Sequence, residues 1–244
     1  GNVEGARAAI TALFAGDGAQ GVALRAALDK AKVPHADDVA KACEERARAM
    51  EAAHKLPAGM TAQDAEFVFA LVHDGEGDTP RAVLQAALRQ RKELARVREL
   101  MCGVASAVQK LPRAESDALY RVVDGCADVA APLFRPKGGV RWPCYAFATP
   151  ARPASVKAPG TLYVLNGTAG KVWGYDVSAF MAHPEMGHVV LEPDTCFKVA
   201  SATKKDDVGE VALLMAVHKP MALPKSGAAA APQKGTPTAA AKPA

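Results

Sequence analysis

The feature that most constrains this chain is a change of period at Pro112. Before it, apolar residues recur at helical spacing, as in "VALRAALDKA" (22–31), "ADDVAKACEERARAMEAAHKL" (36–56) and "AQDAEFVFALVH" (62–73). After it come short apolar or alternating runs: "ALYRVV", "VRWPCYAF", "TLYVLNG", "HVVLE", "CFKVAS" and "EVALLMAV". Gly, Pro and Asp separate them, and "NGTAG" (166–170) supplies turn chemistry, so they read as strands. Helices first and strands afterwards specify an α+β fold with the helices segregated from a mixed or antiparallel sheet. Half the residues are apolar, only 5% are aromatic and alanine is abundant, which favours closely packed helices in the first half.

Local signals divide the helical half further. "EGARAAITALFAG" (4–16) ends on a glycine stop. Thr61 reads as an N-cap with Asp64 completing a capping box. "DGEGD" (74–78) ends that helix, and Thr79-Pro80 opens the next with a cap and a proline at the first helical position. The run from there to Pro112 is expected to break near Gly103. Two stretches echo each other: "ALFAGDG" (12–18) with "ALVHDG" (70–75), and "LRAALDKAK" (24–32) with "LQAALRQRK" (84–92). Lys55-Leu-Pro57 likewise answers Lys110-Leu-Pro112, so a duplicated helical unit is expected. The division is then a helical segment at 1–57, a second helical lobe at 58–113, a β lobe at 114–224, and an Ala/Pro/Lys tail at 225–244 that has nothing to bury and should be disordered.

Charge and cysteine usage exclude several classes. Eight Lys/Arg against two Glu between Arg81 and Arg113 read as a solvated helix face. No aromatic residue interleaves with them, as a nucleic-acid surface would require. Cys43, Cys102, Cys126, Cys144 and Cys196 are odd in number, widely spaced and without a C-x-x-C pair. That pattern opposes a disulfide framework and a zinc site and fits small buried side chains in a reducing, intracellular setting. His183 and His188 do not form the His-Glu-x-x-His helix of a zinc protease, and no metal is expected. No run reaches the ~18 apolar residues of a membrane span.

One ordered set of segments carries a more specific signal. "LQAALR" (84–89) is followed by Lys110-Leu-Pro112, then "LYRVV" with Arg121, then "WPCYAFAT" (142–149) and "TLYVLNGTAGK" (161–171). Last comes "DVSAFMAHPEMGHVVLEPDTCFKV" (176–199). This order, covering roughly 150 residues, resembles the arginine-specific mono-ADP-ribosyltransferases. The resemblance implies a mixed β lobe beside an N-terminal helical lobe, NAD as substrate and a protein partner. Arg121 takes the place of the family's dinucleotide-binding arginine, although the glycine that usually follows it is Val122. The first position of the family's Ser-x-Ser/Thr falls on Phe147 and the second on Thr149.

The family's Glu-x-Glu pair falls on Met186-Gly187-His188, so both carboxylates are missing. Glu185 and Glu192 are the nearest acids, displaced by one residue from the first position and by four from the second. The loss matters chemically. Cleaving the glycosidic bond to nicotinamide develops a cationic sugar that a fixed carboxylate must stabilise, as in glycoside hydrolysis. Preorganised charge is commonly the largest catalytic contribution. His188 can hydrogen-bond a ribose hydroxyl when neutral but cannot supply negative charge.

Two readings of function follow. In one, the chain is a catalytically impaired or inactive relative that uses the fold as a binding or assembly module. In the other it is an active NAD-dependent protein-arginine mono-ADP-ribosyltransferase, with Glu185 and His188 in the catalytic loop and Arg121, Phe147 and Thr149 around the dinucleotide. Arg121 itself has a plainer alternative, a structural arginine pairing with Asp124 or Asp128. A third reading makes the helical half a partner-binding surface.

Overall fold

The computed structural model describes residues 22–74, 77–125, 139–167 and 170–215. The helix expected at 4–16, the repeat segment at 12–18, Cys126, Asp128 and the tail at 225–244 lie outside those residues, as does the centre of the 166–170 turn.

Five helices come first: α1 (Leu24–Lys30), α2 (Ala36–Ala52), α3 (Ala62–Val72), α4 (Pro80–Gln90) and α5 (Arg98–Val108). The start signals are used as written. The Thr61 hydroxyl accepts from the Asp64 backbone N–H while the Asp64 carboxylate accepts from Thr61 N, so both halves of the capping box form. Thr79 caps α4 ahead of Pro80. The break expected near Gly103 lies elsewhere. The chain leaves the helix at Arg91, whose φ is +54°, and re-enters at Arg98, leaving Gly103 inside α5. Gly103 is there for packing: a Cβ at this position would stand 2.2 Å from the ring of Phe67 on α3. α2 likewise stops at Ala52, short of Pro57.

Nine strands follow: β1 (Arg113–Ser116), β2 (Ala118–Asp124), β3 (Gly139–Trp142), β4 (Ala146–Ala148), β5 (Gly160–Gly167), β6 (Val172–Asp176), β7 (Val189–Leu191), β8 (Thr195–Lys205) and β9 (Val208–Met215). They form two sheets. One is antiparallel, ordered β1-β6-β7-β4; the other, ordered β2-β5-β9-β8-β3, is mixed because β5 and β9 run parallel. The run "VRWPCYAF" is therefore two strands in different sheets, divided where Pro143 removes a ladder donor. The chain changes sheet between β1 and β2, β3 and β4, β4 and β5, β5 and β6, and β7 and β8.

Two apolar clusters result. Leu119, Leu165, Val189, Leu191, Phe197 and Leu213 belong to the one that fills the space between the sheets. The other joins all five helices to the opposite face of the four-stranded sheet through Tyr145, Tyr175 and Val190. Alternation along β4 and β7 produces this division: Ala146 and Ala148 face the second sheet, whereas Phe147 packs with the helices. Cys43, Cys102 and Cys144 are buried and free, and Cys196 is half-buried. Burial pushes the Cys43 thiol up to about 12 and that of Cys102 to about 11, so both are unreactive as nucleophiles. No described helix is long and apolar enough to cross a membrane.

Candidate functional site

The two sheets meet at a seam between β2 and β4, where Tyr120 and Thr149 exchange backbone hydrogen bonds of 2.8 and 2.9 Å. Arg121 follows Tyr120. Its neighbour Leu119 enters the inter-sheet core, so period-two alternation turns Arg121 to the same inner face at the mouth of the seam. Its Nη1 donates to the Phe147 carbonyl at 2.9 Å, and its guanidinium lies 5.6 Å from the centre of the Trp142 ring. Tyr163 is its direct partner across the ladder with β5. Neither Asp124 nor any other described carboxylate pairs with it, so the structural alternative of an acid partner fails there; Asp128 lies outside the described residues. Burial holds the Arg121 guanidinium below its ordinary pKa, and the cations of Arg89 and Arg81 add to that effect. Among the described residues, no aspartate or glutamate is one of the main charges acting on it.

Those two cations come from α4. Arg81, Gln85 and Arg89 are spaced four apart and so share one helix face. Gln85 Nε2 donates to the Tyr145 carbonyl at 3.2 Å, which fixes that face over the start of β4. The Arg81 guanidinium sits 5.5 Å from the Phe147 ring centre and is ion-paired with Asp74 at the rim. The basic stretch read as a solvated face is thus only partly so. Arg81 lies over the Phe147 ring beside the seam, Arg89 is exposed with only its charge reaching Arg121, and Arg91 is tied into the fold by Asp194.

Asp194 builds the floor. Its carboxylate is 7% exposed and takes Arg91 Nη2 and Arg141 Nε at 2.6 and 2.9 Å. Arg141 Nη2 stands 2.6 Å from the second oxygen as an ion pair without hydrogen-bond alignment. The Asp194 N–H also donates to the Trp142 carbonyl at 2.7 Å. One residue therefore joins the end of α4 to β3 and to the start of β8, holding the arginine face and the Trp142 ring in one frame.

The loop before β7 carries the remaining candidates. Continuing the β4–β7 register past Ala148 and Val189 places His188 opposite Thr149. His188 is half-buried; its carbonyl accepts from Val177 N and Ser178 Oγ. Burial and the neighbouring His183 hold its pKa below the ordinary 6.5, with Asp74 and Glu185 acting in the opposite sense. Glu185 lies on a single 3-10 turn, Pro184–Met186, that ends at Gly187 with φ +63°. Its side chain is 68% exposed and reaches His183 Nδ1 at 3.2 Å, away from Arg121. Phe147 turns its ring toward Arg81 and the helices, not into the space between the sheets. Thr149 Oγ1 donates to the Ala151 carbonyl.

Glu192 is on the other side of the four-stranded sheet. It is 4% exposed and accepts from Gln109 Nε2 at 3.0 Å, beside Tyr145 and Tyr175. Burial first, and then this carboxylate, push Tyr175 up to about 12. A cavity of about 10 Å³, room for about one water, adjoins it. The structure thus brings Arg121, Phe147, Thr149 and His188 to one seam, encloses Glu192 on the far side of the four-stranded sheet and leaves Glu185 at the exposed edge, where its charge acts on His188. Arg81, Arg89, Trp142, Tyr163 and Asp194 were not signalled as site residues; only the spacing of the two α4 arginines offered a clue. Among the described residues no group of three metal-ligating side chains converges.

No family model and no curated protein sequence matches the chain. Solved structures do. The type III effector XopAI of Xanthomonas axonopodis pv. citri superposes with a TM-score of 0.61 at 15% identity, over 88% of this chain and 98% of that one. The ADP-ribosyltransferase HopU1 of Pseudomonas syringae pv. Tomato gives 0.55 at 16% identity, over 87% of this chain and 97% of that one. This is the ADP-ribosyltransferase fold. Exoenzyme S of Pseudomonas aeruginosa, solved with Carba-NAD and human 14-3-3 protein beta, matches at 0.53 and 16% identity, over 83% of this chain and 95% of that one. The segregated helices and mixed β lobe expected from the resemblance agree with these neighbours.

An NAD molecule tests the seam in two places. Arg121 and Arg81, with Asp74 at the rim and the exposed Arg89 adding its charge, suit a diphosphate, which arginine recognises by paired N–H donors. No described carboxylate hydrogen-bonds to Arg121 and the pKa of His188 is lowered, so the described side chains suit phosphate and hydroxyl contacts better than the stabilisation of a cationic sugar.

Proposed function

We propose that the chain is a catalytically impaired relative of the arginine-specific mono-ADP-ribosyltransferases that binds an NAD-type dinucleotide and serves as a binding or assembly module. One observation carries this reading: among the described residues the seam has a half-buried arginine for phosphate but no acid paired with it, since Glu185 points to solvent with His183 and Glu192 is held by Gln109. Arg121, assisted by Arg81 and Arg89, holds the diphosphate. Phe147 and Thr149 border the ligand, and His188 faces the ribose as a neutral hydrogen-bonding group.

A protein partner belongs to the proposal by analogy with exoenzyme S, which is bound to 14-3-3 protein beta in its structure. Residues 58–224 form the proposed transferase-like unit, preceded by a related segment at 1–57 and followed by the Ala/Pro/Lys stretch at 225–244. The Lys-Leu-Pro turns after α2 and α5 support the duplicated helical unit.

The active-enzyme reading rests on Glu185, which is close enough to act electrostatically on His188. Two measurements on purified full chain separate the readings: nicotinamide release from NAD, and the thermal shift produced by NAD. A ligand at 100 times its dissociation constant adds ~2.7 kcal/mol of stability. A shift without release supports the module. Release that disappears in Glu185→Gln establishes the enzyme.

A further inference from the structure

We infer that the seam selects diphosphate nucleotides that lack a cationic ring, binding NADH and ADP-ribose more tightly than NAD. This rests on the dinucleotide reading of the seam and adds its selectivity. NAD carries a positive nicotinamide on a doubly anionic diphosphate. NADH has nearly the same shape with a neutral ring, and ADP-ribose has no ring.

The seam holds an unusual excess of fixed positive charge. Arg121 is half-buried beside Trp142, with its one hydrogen bond to a neutral carbonyl. Arg89 binds only the neutral Gln85 amide, and Arg81 shares Asp74, which is 68% exposed and at the rim. At the position opposite Thr149, where an acid would offset a cationic ring, stands His188. Burial and the neighbouring His183 disfavour a proton on that imidazole, and it supplies no negative charge in either state. The diphosphate gains from every arginine, whereas a cationic ring pays repulsion from the same groups, offset among the described residues only by the exposed Asp74 and Glu185 carboxylates, each already paired. Partial desolvation lengthens the reach of that repulsion relative to open water. Charge, with shape nearly constant, therefore separates NADH from NAD.

The test is calorimetric titration of the full chain with NAD, NADH and ADP-ribose at low ionic strength. NADH and ADP-ribose are expected to bind about ten-fold more tightly than NAD, equivalent to ~1.4 kcal/mol. Raised salt should narrow the ratio. His188→Glu, with its folded state confirmed by circular dichroism, should bring the NADH/NAD ratio close to one. NAD binding as tight as NADH in the unmodified chain overturns the inference while leaving the dinucleotide site intact. Tight ADP-ribose with NADH as weak as NAD overturns it too, because ring shape and not charge is then excluded. A ratio unmoved in folded His188→Glu removes the assignment of selectivity to that position. If none of the three nucleotides binds, the dinucleotide reading itself falls.

Discussion

Replacing Asp194 with asparagine should loosen the whole site without touching it. Asp194 has φ +64°, a conformation asparagine tolerates well, so the substitution removes charge while keeping the backbone and its N–H bond to Trp142. What is lost is the anion between Arg91 and Arg141. Removing one member of a fully buried pair costs ~3–5 kcal/mol, because the partner charge is left without compensation. Here the carboxylate is 7% exposed but the arginines are 31% and 24% exposed, so water recovers part of that loss. A cost of about 2–3 kcal/mol follows. For a chain of this length, ~2–4 °C per kcal/mol converts that to a fall in Tm of about 4–12 °C. Thermal unfolding followed by circular dichroism reads it directly. High salt should leave the difference largely in place, as expected for a shielded pair. Nucleotide binding should weaken as well, since the arginine face of α4 and the Trp142 ring lose their common anchor. A variant melting within a degree of the parent would refute this account of Asp194.

Other substitutions probe separate links. Asp64→Ala removes the capping box of α3 and the 2.7 Å ion pair with Lys110, and should cost about 1–2 kcal/mol by urea titration. Although burial of Asp64 opposes ionisation, the Lys110 and Thr61 bonds outweigh it and lower its pKa, so its contribution is present above the ordinary carboxylate range and disappears as pH falls through the folded value. Gly103→Val drives a branched side chain into the Phe67 ring and should destabilise by about 3 kcal/mol or more, which a chemical-denaturation midpoint shift would register. His188 has a depressed folded-state pKa, so the unfolded chain takes up its proton first and stability drops as pH falls through the ordinary imidazole range. His188→Asn should flatten the Tm profile between roughly pH 7.5 and 5; parallel profiles would contradict it. Arg121→Met should leave stability within about 1 kcal/mol, since a desolvated cation without an acid partner contributes little, yet abolish any nucleotide-induced thermal shift.

Local chemistry written into the sequence settled much of the architecture. Thr61 with Asp64, and Thr79 with Pro80, needed no tertiary partner to mark where helices begin. The shift from helical to alternating period fell at Pro112, beside the start of β1 at Arg113. Six apolar or alternating runs were legible and hold seven of the nine described strands. β1 was not: "RAES" has no apolar alternation. β6 was hidden by Gly174, whose missing side chain is demanded by contact with Val189 on the adjacent strand. Gly103 misled for the same reason, since a glycine placed for an inter-helix contact looks locally like a helix breaker.

The composition of the seam was a tertiary matter. The sequence alone determined which acids were absent, because a missing carboxylate at 186 and 188 is a fact of the chain. It could not say where the remaining ones point. Only the folded molecule sends Glu185 to solvent with His183, encloses Glu192 behind Gln109, and turns two arginines of α4 toward Arg121 on a strand some thirty residues later. Period and capping depend on neighbours within a few residues and can be read along the chain. The sign and reach of the charge in a cleft depend on which distant groups share it, and on how much water the packing leaves between them.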